Sequence, residues 1–265
     1  MERLLLLGIL GILLSACDSE GEIRPLKDVT IIVLYDNYQY DDRLRTGWGF
    51  SCLVRLRGQS ILFDTGGDGA TLLYNMEQLE IDPKEIDAVM LSHIHSDHVG
   101  GVLDFLNRNS DVTLYLPKSF PESFKKEISS GGARVEEVSQ ARELLPNVYT
   151  TGEMGAFIKE QSLILNTAKG LVVITGCAHP GIVNIVQRAK QLLGGVPFFV
   201  MGGFHLFGMT ERELKRIISD FKELGVVKVG PCHCSGRRAR HLFKEAYGKD
   251  YLELGVGRVI TIGVL

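Results

Sequence analysis

Histidine is scarce in this chain, with seven residues in 265, and tryptophan occurs once. Charge of one sign is also lacking. The formal net charge is −3, from 29 Lys and Arg against 32 Asp and Glu, with no long basic run. That argues against nucleic acid as an obligatory partner. No low-complexity tract and no linker-like stretch interrupts residues 28–265, so a single domain is expected there. Hydrophobic residues make up 45% and charged residues 23%, which excludes a disordered chain. Long apolar runs are missing too. The longest, Leu4 to Leu14, covers eleven residues, whereas a membrane-spanning helix needs about 20.

That short run fits the core of a signal peptide. It ends in Leu14-Ser15-Ala16-Cys17, which resembles the bacterial lipoprotein cleavage box. Residues 1–17 are therefore expected to be a lipoprotein-type signal peptide. A lipid on Cys17 would attach the mature protein to a bacterial membrane, in the cell envelope. The polar stretch DSEGEIRPLK, residues 18–27, would be a tether. The remaining cysteines are Cys52, Cys177, Cys232 and Cys234. Export would permit disulfides. However, Cys232 and Cys234 flank His233, and Cys177 lies two residues before His179, so a metal neighbourhood is an equal reading and no bridge is assigned.

Apolar runs alternate with helical patterns along the chain. Strands are read near Val29–Leu34, Phe50–Leu56, Ser60–Phe63 and Ile86–Leu91. Helical periodicity marks Thr71–Leu79, Ile182–Leu193, Glu211–Leu224 and Arg237–Tyr247. This alternation implies an α/β arrangement of sheets covered by helices. His93, His179, His205 and His233 each follow a buried run, so each is expected just beyond the carboxyl end of a strand. Those ends form one rim in α/β folds. Only His241 looks peripheral.

The scarce histidines are then concentrated. The stretch SHIHSDHVGG, residues 92–101, holds three of them and an aspartate. His93 and His95, two residues apart in an extended segment, point the same way and can share an ion. Asp97 reads as a helix N-cap or a carboxylate ligand, and His98 projects from the first helical turn. Gly100 and Gly101 allow close backbone packing behind the cluster. Further ligands must come from elsewhere, and His179 and His233 offer them.

HIHSDH matches the HxHxDH signature of the metallo-β-lactamase superfamily. Together with Asp64-Thr65-Gly66, TGCAHPGIVN, GGFHL and HCSG, it resembles the dihydropteroate-synthase-like metallohydrolase subgroup. The resemblance runs from about Val29 to the C-terminus. It implies a four-layer αββα sandwich and two divalent metal ions, commonly zinc, with iron or manganese as alternatives. It places His93, His95 and His179 on one ion, and Asp97, His98 and His233 on the other. Relatives often carry a bridging aspartate where this chain has Cys177. Cys177 could take that position, or the bridge is absent. Glu160 is a further candidate oxygen ligand, read in preference as an ordinary solvated turn residue. Asp64 is expected to hydrogen-bond a ligand histidine, or simply to form a turn.

The implied reaction is hydrolysis of an ester, phosphoester or amide. Two ions lower the pKa of a shared water to about 7 and leave a hydroxide as nucleophile. Asp97 would orient it and accept its proton, and His205 would protonate the leaving group. Arg237, Arg238 and Arg240 follow HCSG, the first two opening a helix, and together could grip an anionic small-molecule substrate. The aromatic loop from Tyr35 to Trp48 could stack on a planar one. Two other readings stand beside this: a β-lactam hydrolase, and a non-catalytic metal-binding sensor on the same fold.

Overall fold

The computed structural model describes residues 25–263 and 265. The expected signal peptide and Cys17 lie outside the described residues, as does most of the tether. Among the described residues, no helix is long and apolar enough to cross a membrane. The first half runs β1 (Thr30–Tyr35), β2 (Ser51–Leu56), β3 (Gln59–Phe63), α1 (Gly69–Gln78), β4 (Ala88–Met90), α2 (Ser96–Val99), α3 (Val102–Leu106), β5 (Thr113–Pro117), α4 (Glu122–Ser130) and β6 (Arg134–Val138). The second runs β7 (Gln140–Leu145), β8 (Val148–Gly152), β9 (Leu163–Thr167), β10 (Gly170–Thr175), α5 (Ile182–Leu193), β11 (Pro197–Gly203), α6 (Glu211–Glu223), β12 (Lys228–Cys232), α7 (Arg237–Tyr247) and β13 (Val259–Thr261).

Two sheets result. One has seven strands in the order β13-β1-β2-β3-β4-β5-β6, and the other has six in the order β12-β11-β10-β9-β8-β7. Their central strands are apolar on both faces, for a reason visible in β1. Ile31 and Val33 enter the core between the sheets, while Ile32 and Leu34 point beneath the outer helices. In β10, Val172 and Ile174 face the other sheet, whereas Leu171 and Val173 pack under α5 and α6. Three apolar layers therefore separate four layers of backbone, helix on sheet on sheet on helix, as the αββα expectation requires.

The helices obey local rules. In α5, Ile182, Ile185, Val186 and Ala189 are buried at the spacing of one helical face, and Gly194 closes the end at φ 69°. Thr210 and Glu213 form a reciprocal capping box at the start of α6. Strands β3 to β6 run parallel, and so do β10 to β12. The carboxyl ends of these parallel strands carry the loops discussed next.

Candidate metal centre

Six strand ends supply the site: Asn37 after β1, Asp64 after β3, residues 92–98 after β4, residues 177–179 after β10, His205 after β11 and His233 after β12. The structure gathers the expected ligands into two donor sets. His93, His95 and His179 form one; Asp97, His98 and His233 form the other, joined by Cys177. Within each set the candidate ligand atoms lie within 4.8 Å of one another. The sets are neighbours, with the His93 and His98 rings 4.2 Å apart. His205 also comes to the centre, 4.4 Å from the His179 ring, and forms a third group with the Cys177 and Cys234 sulfurs.

Hydrogen bonds determine which nitrogen each imidazole presents. Asp64 is fully buried, and its carboxylate can only accept. Its Oδ2 lies 2.7 Å from His98 Nδ1, so that nitrogen carries a proton and Nε2 is the one left to act as a ligand. The Ser92 hydroxyl donates to the same Oδ2 at 2.7 Å. Having spent its only proton, Ser92 Oγ must accept from His93 Nδ1 at 2.8 Å, which leaves His93 Nε2 bare as well. One carboxylate thus sets the tautomer of a histidine in each donor set. Asn37 does the same for His233: its Oδ1 lies 2.9 Å from Nδ1, while its Nδ2 donates to the His233 carbonyl at 3.1 Å.

The bare nitrogens converge. His98 Nε2 is 3.2 Å from Cys177 Sγ and 3.7 Å from Asp97 Oδ2. His233 Nε2 is 3.4 Å from the same sulfur and 3.3 Å from the same oxygen. His93 Nε2 is 3.1 Å from His95 Nδ1. His179 Nε2 is buried without a hydrogen-bond partner. A buried, unpartnered imidazole nitrogen beside two other histidines is costly unless something binds it. Imidazole, carboxylate and thiol donors about this far apart are what a tetrahedral ion requires. The residues therefore fit a pair of cations.

Electrostatics differ between the histidines. Burial, followed by repulsion from neighbouring imidazoles, holds His93 well below the ordinary histidine range. The same causes bring His179 down to about 4. Burial also opposes the His98 imidazolium, but the Asp64 carboxylate outweighs it and the net shift is upward. Burial raises Asp97, yet His233 and His98 together hold it below the carboxylate range. Contact with the Cys234 sulfur raises His205 against the effect of burial.

Strain concentrates here. Of the non-glycine residues with positive φ, Asp64, Ala178, His205 and His233 all belong to the site, at 55°, 61°, 51° and 45°. Such backbone persists only where the surroundings enforce it. Glycines permit the tight approach. A Cβ on Gly100 would strike the Gly67 carbonyl oxygen at 2.2 Å, and one on Gly101 the Thr65 oxygen at 2.4 Å. Behind this packing, Thr65 N donates to the His98 carbonyl at 2.8 Å and anchors the ligand helix.

Several expectations change. Asp97 is not a helix cap: His95 holds that position, and Asp97 sits inside the first turn of α2. Glu160 is not a solvated turn residue. It is buried, and its carboxylate accepts from the backbone N–H groups of Cys177, Ala178 and His179 at 3.0, 2.8 and 2.7 Å. It shapes the loop that presents two candidate ligands, Cys177 and His179. Arg240 is bound to Glu253 at 2.6 Å and lies over the Tyr38 ring, so it is not free to grip an anion, whereas Arg237 and Arg238 are exposed. Tyr38 and Tyr40 cover arginines, while Trp48 lies 5.1 Å from the His233 ring. Cys52, Cys177, Cys232 and Cys234 are all free thiols. His241 pairs with Glu245 on the surface of α7, away from the cluster. Asn37 and Ser92 carried no signal in the sequence; only the meeting of distant loops reveals them.

Relatives share this architecture. A 7,8-dihydropterin-6-methyl-4-(beta-D-ribofuranosyl)-aminobenzene-5'-phosphate synthase from Methanocaldococcus jannaschii is 29% identical over 91% of this chain and 98% of its own. The solved structure of Tm1679, a metal-dependent hydrolase of the beta-lactamase superfamily, superposes with a TM-score of 0.74 at 29% identity, covering 88% of this chain and 98% of that one. The short form of human tRNase Z shares the fold at TM-score 0.61 and 14% identity, covering 88% and 99%. Residues 47–187 match the sequence profile of the metallo-beta-lactamase superfamily. With the signature residues gathered as that fold requires, the chain belongs to the metallo-beta-lactamase superfamily.

Proposed function

We propose that this protein is a dinuclear metal-dependent hydrolase acting on an ester, phosphoester or amide bond of a small molecule. The observation that carries the reading is the pair of adjoining donor sets whose bare nitrogens are fixed from outside by Asp64, Ser92 and Asn37. His93, His95 and His179 would hold one cation; Asp97, His98, His233 and the Cys177 sulfur would hold the other. The mixed nitrogen, oxygen and sulfur donors suit zinc. Bound there, such ions activate water and polarise the oxygen of the scissile group.

The chain's own residues do the rest. Asp97, ionised throughout the neutral range, orients the attacking water and accepts its proton. His205, at the exposed edge of the centre and held toward its protonated form, donates to the leaving group. Arg237 and Arg238, exposed just beyond His233, favour an anionic substrate. The name of the Methanocaldococcus relative adds dihydropterins and ribose phosphates to the compounds worth screening.

The test is metal analysis of the purified protein together with a screen of carboxylic esters, phosphodiesters and lactams. Two ions per chain are expected, with turnover of bis-p-nitrophenyl phosphate or an ester that is lost in His95→Ala and after chelation. A protein that binds no transition metal and folds identically in chelator would overturn the assignment. Attachment of this domain to a bacterial membrane through Cys17 is a separate proposal, supported by residues 4–17 alone. It predicts that Cys17→Ser moves the protein from the membrane pellet to the soluble fraction.

A further inference from the structure

Behind His179 and His205 lies a cavity of about 190 Å³. Its walls are Ile182 and Val183 from α5, Phe204, Leu206 and Met209 from the segment between β11 and α6, and Ile217 from α6. None of its lining residues is acidic or basic apart from the two histidines. It is not a sealed packing defect, because His205 is exposed and Val183, Met209 and Ile217 are partly so. His179 is shared between this wall and the first donor set, its ring lying 4.8 Å from the His93 ring and 4.8 Å from the His95 ring.

We propose that this cavity is a substrate subsite. It receives an uncharged, compact ring, phenyl in size, attached directly to the group that reacts at the metal centre. The inference rests on the hydrolase reading for where the reacting group sits, and three observations support it. First, size: a cavity of about 150 Å³ with aliphatic and aromatic walls is known to hold a benzene ring, so 190 Å³ has room for one. Second, chemistry: away from the two histidines the wall carries no charged group, so a charged substituent lodged against it would be desolvated without compensation. Third, position: the only titratable groups on the wall are an expected ligand, His179, and the expected proton donor, His205. A ring held there therefore lies beside residues of the metal centre. Met209, unbranched and polarisable, lets the wall adjust to the ring face.

The experiment compares binding of phenylphosphonate and methylphosphonate to the zinc-loaded protein by calorimetry. Both carry the same anionic group, and only one carries the ring. Phenylphosphonate should bind about 10- to 100-fold more tightly, the gain from burying one aromatic ring. Ile217→Trp and Val183→Phe, each filling the cavity from a different helix, should abolish that preference and leave methylphosphonate binding within about threefold. Zinc content and circular dichroism establish that each variant is folded. Equal affinity for the two phosphonates, no binding of phenylphosphonate up to millimolar concentration, or a preference that survives both filling variants would overturn the subsite. Binding is read without turnover, so the two readings fail separately. A phenyl preference without hydrolysis of any screened bond sinks the hydrolase assignment alone. Hydrolysis without the preference sinks only the subsite.

Discussion

Replacing Asp64 by Asn tests the claim that one buried carboxylate sets the tautomers of both donor sets. The carboxylate receives three hydrogen bonds: Ser92 N at 2.6 Å on Oδ1, and Ser92 Oγ and His98 Nδ1, each at 2.7 Å, on Oδ2. Asn is nearly the same size and tolerates the φ of 55° found here, so the turn survives. Its single oxygen must stay on the Ser92 N–H, which places the amide NH₂ where Oδ2 was. His98 Nδ1 then faces a donor and must surrender its proton, moving it to Nε2, the nitrogen aimed at Cys177 and Asp97. Ser92 Oγ must accept from the amide and donate to His93 Nδ1, which shifts the His93 proton to Nε2 too. Both imidazoles would then present N–H groups to the cations. Losing such an orienting partner weakens a metal site about 10- to 100-fold, which is about 1.4–2.8 kcal/mol for each set. Competition against a chromophoric zinc chelator measures the affinities, and nitrogen NMR of the imidazoles reads the tautomers directly. If Asp64→Asn binds both ions within about twofold of the unaltered protein, Asp64 is merely a turn residue and the orienting role is wrong.

Other expectations follow from the same geometry. Glu160→Gln leaves one amide NH₂ facing a backbone N–H of residues 177–179, and should destabilise chelator-treated protein by about 1–3 kcal/mol in urea unfolding. An unchanged midpoint would show that the buried carboxylate does not hold the ligand loop. Gly203→Ala would press a methyl group against the Gly176 carbonyl oxygen at 2.3 Å and Cys234 Sγ at 2.7 Å. Backbone cannot yield there without moving Cys177, so metal content should drop below two ions per chain; full occupancy would refute the packing argument. Trp48 is the sole tryptophan and lies 5.1 Å from the His233 ring, so cobalt titration into metal-free protein should quench its emission in step with binding. Stoichiometric binding with constant emission would place the ion away from His233.

The elements were legible because their periodicities are local. The faces of α5 and α7 follow from residues three and four apart, and both helices span the ranges their spacing predicts, Ile182–Leu193 and Arg237–Tyr247. The candidate ligands could be named for a related reason. Scarce histidines placed just after apolar runs must emerge at strand ends, whatever the remainder of the chain does. The partners that orient them were not legible. Asn37 reaches His233 across 196 residues, and Asp64 reaches His98 across 34. No spacing rule links loops that meet only when two sheets pack.

Glu160 shows the same boundary most clearly. In the sequence it sits in a polar stretch and reads as a solvent-facing turn. In the fold, three backbone N–H groups of the Cys177–His179 loop need an acceptor in a place water does not reach, and its carboxylate is that acceptor. Alternating apolar pattern and residue type, which are properties of neighbours along the chain, determined the layers and the ligand candidates. Which nitrogen each histidine offers, that Cys177 joins the second set, and that an apolar cavity backs His179 and His205 were decided by tertiary packing, because burial turns each polar group's need for a partner into a choice among residues far apart in sequence.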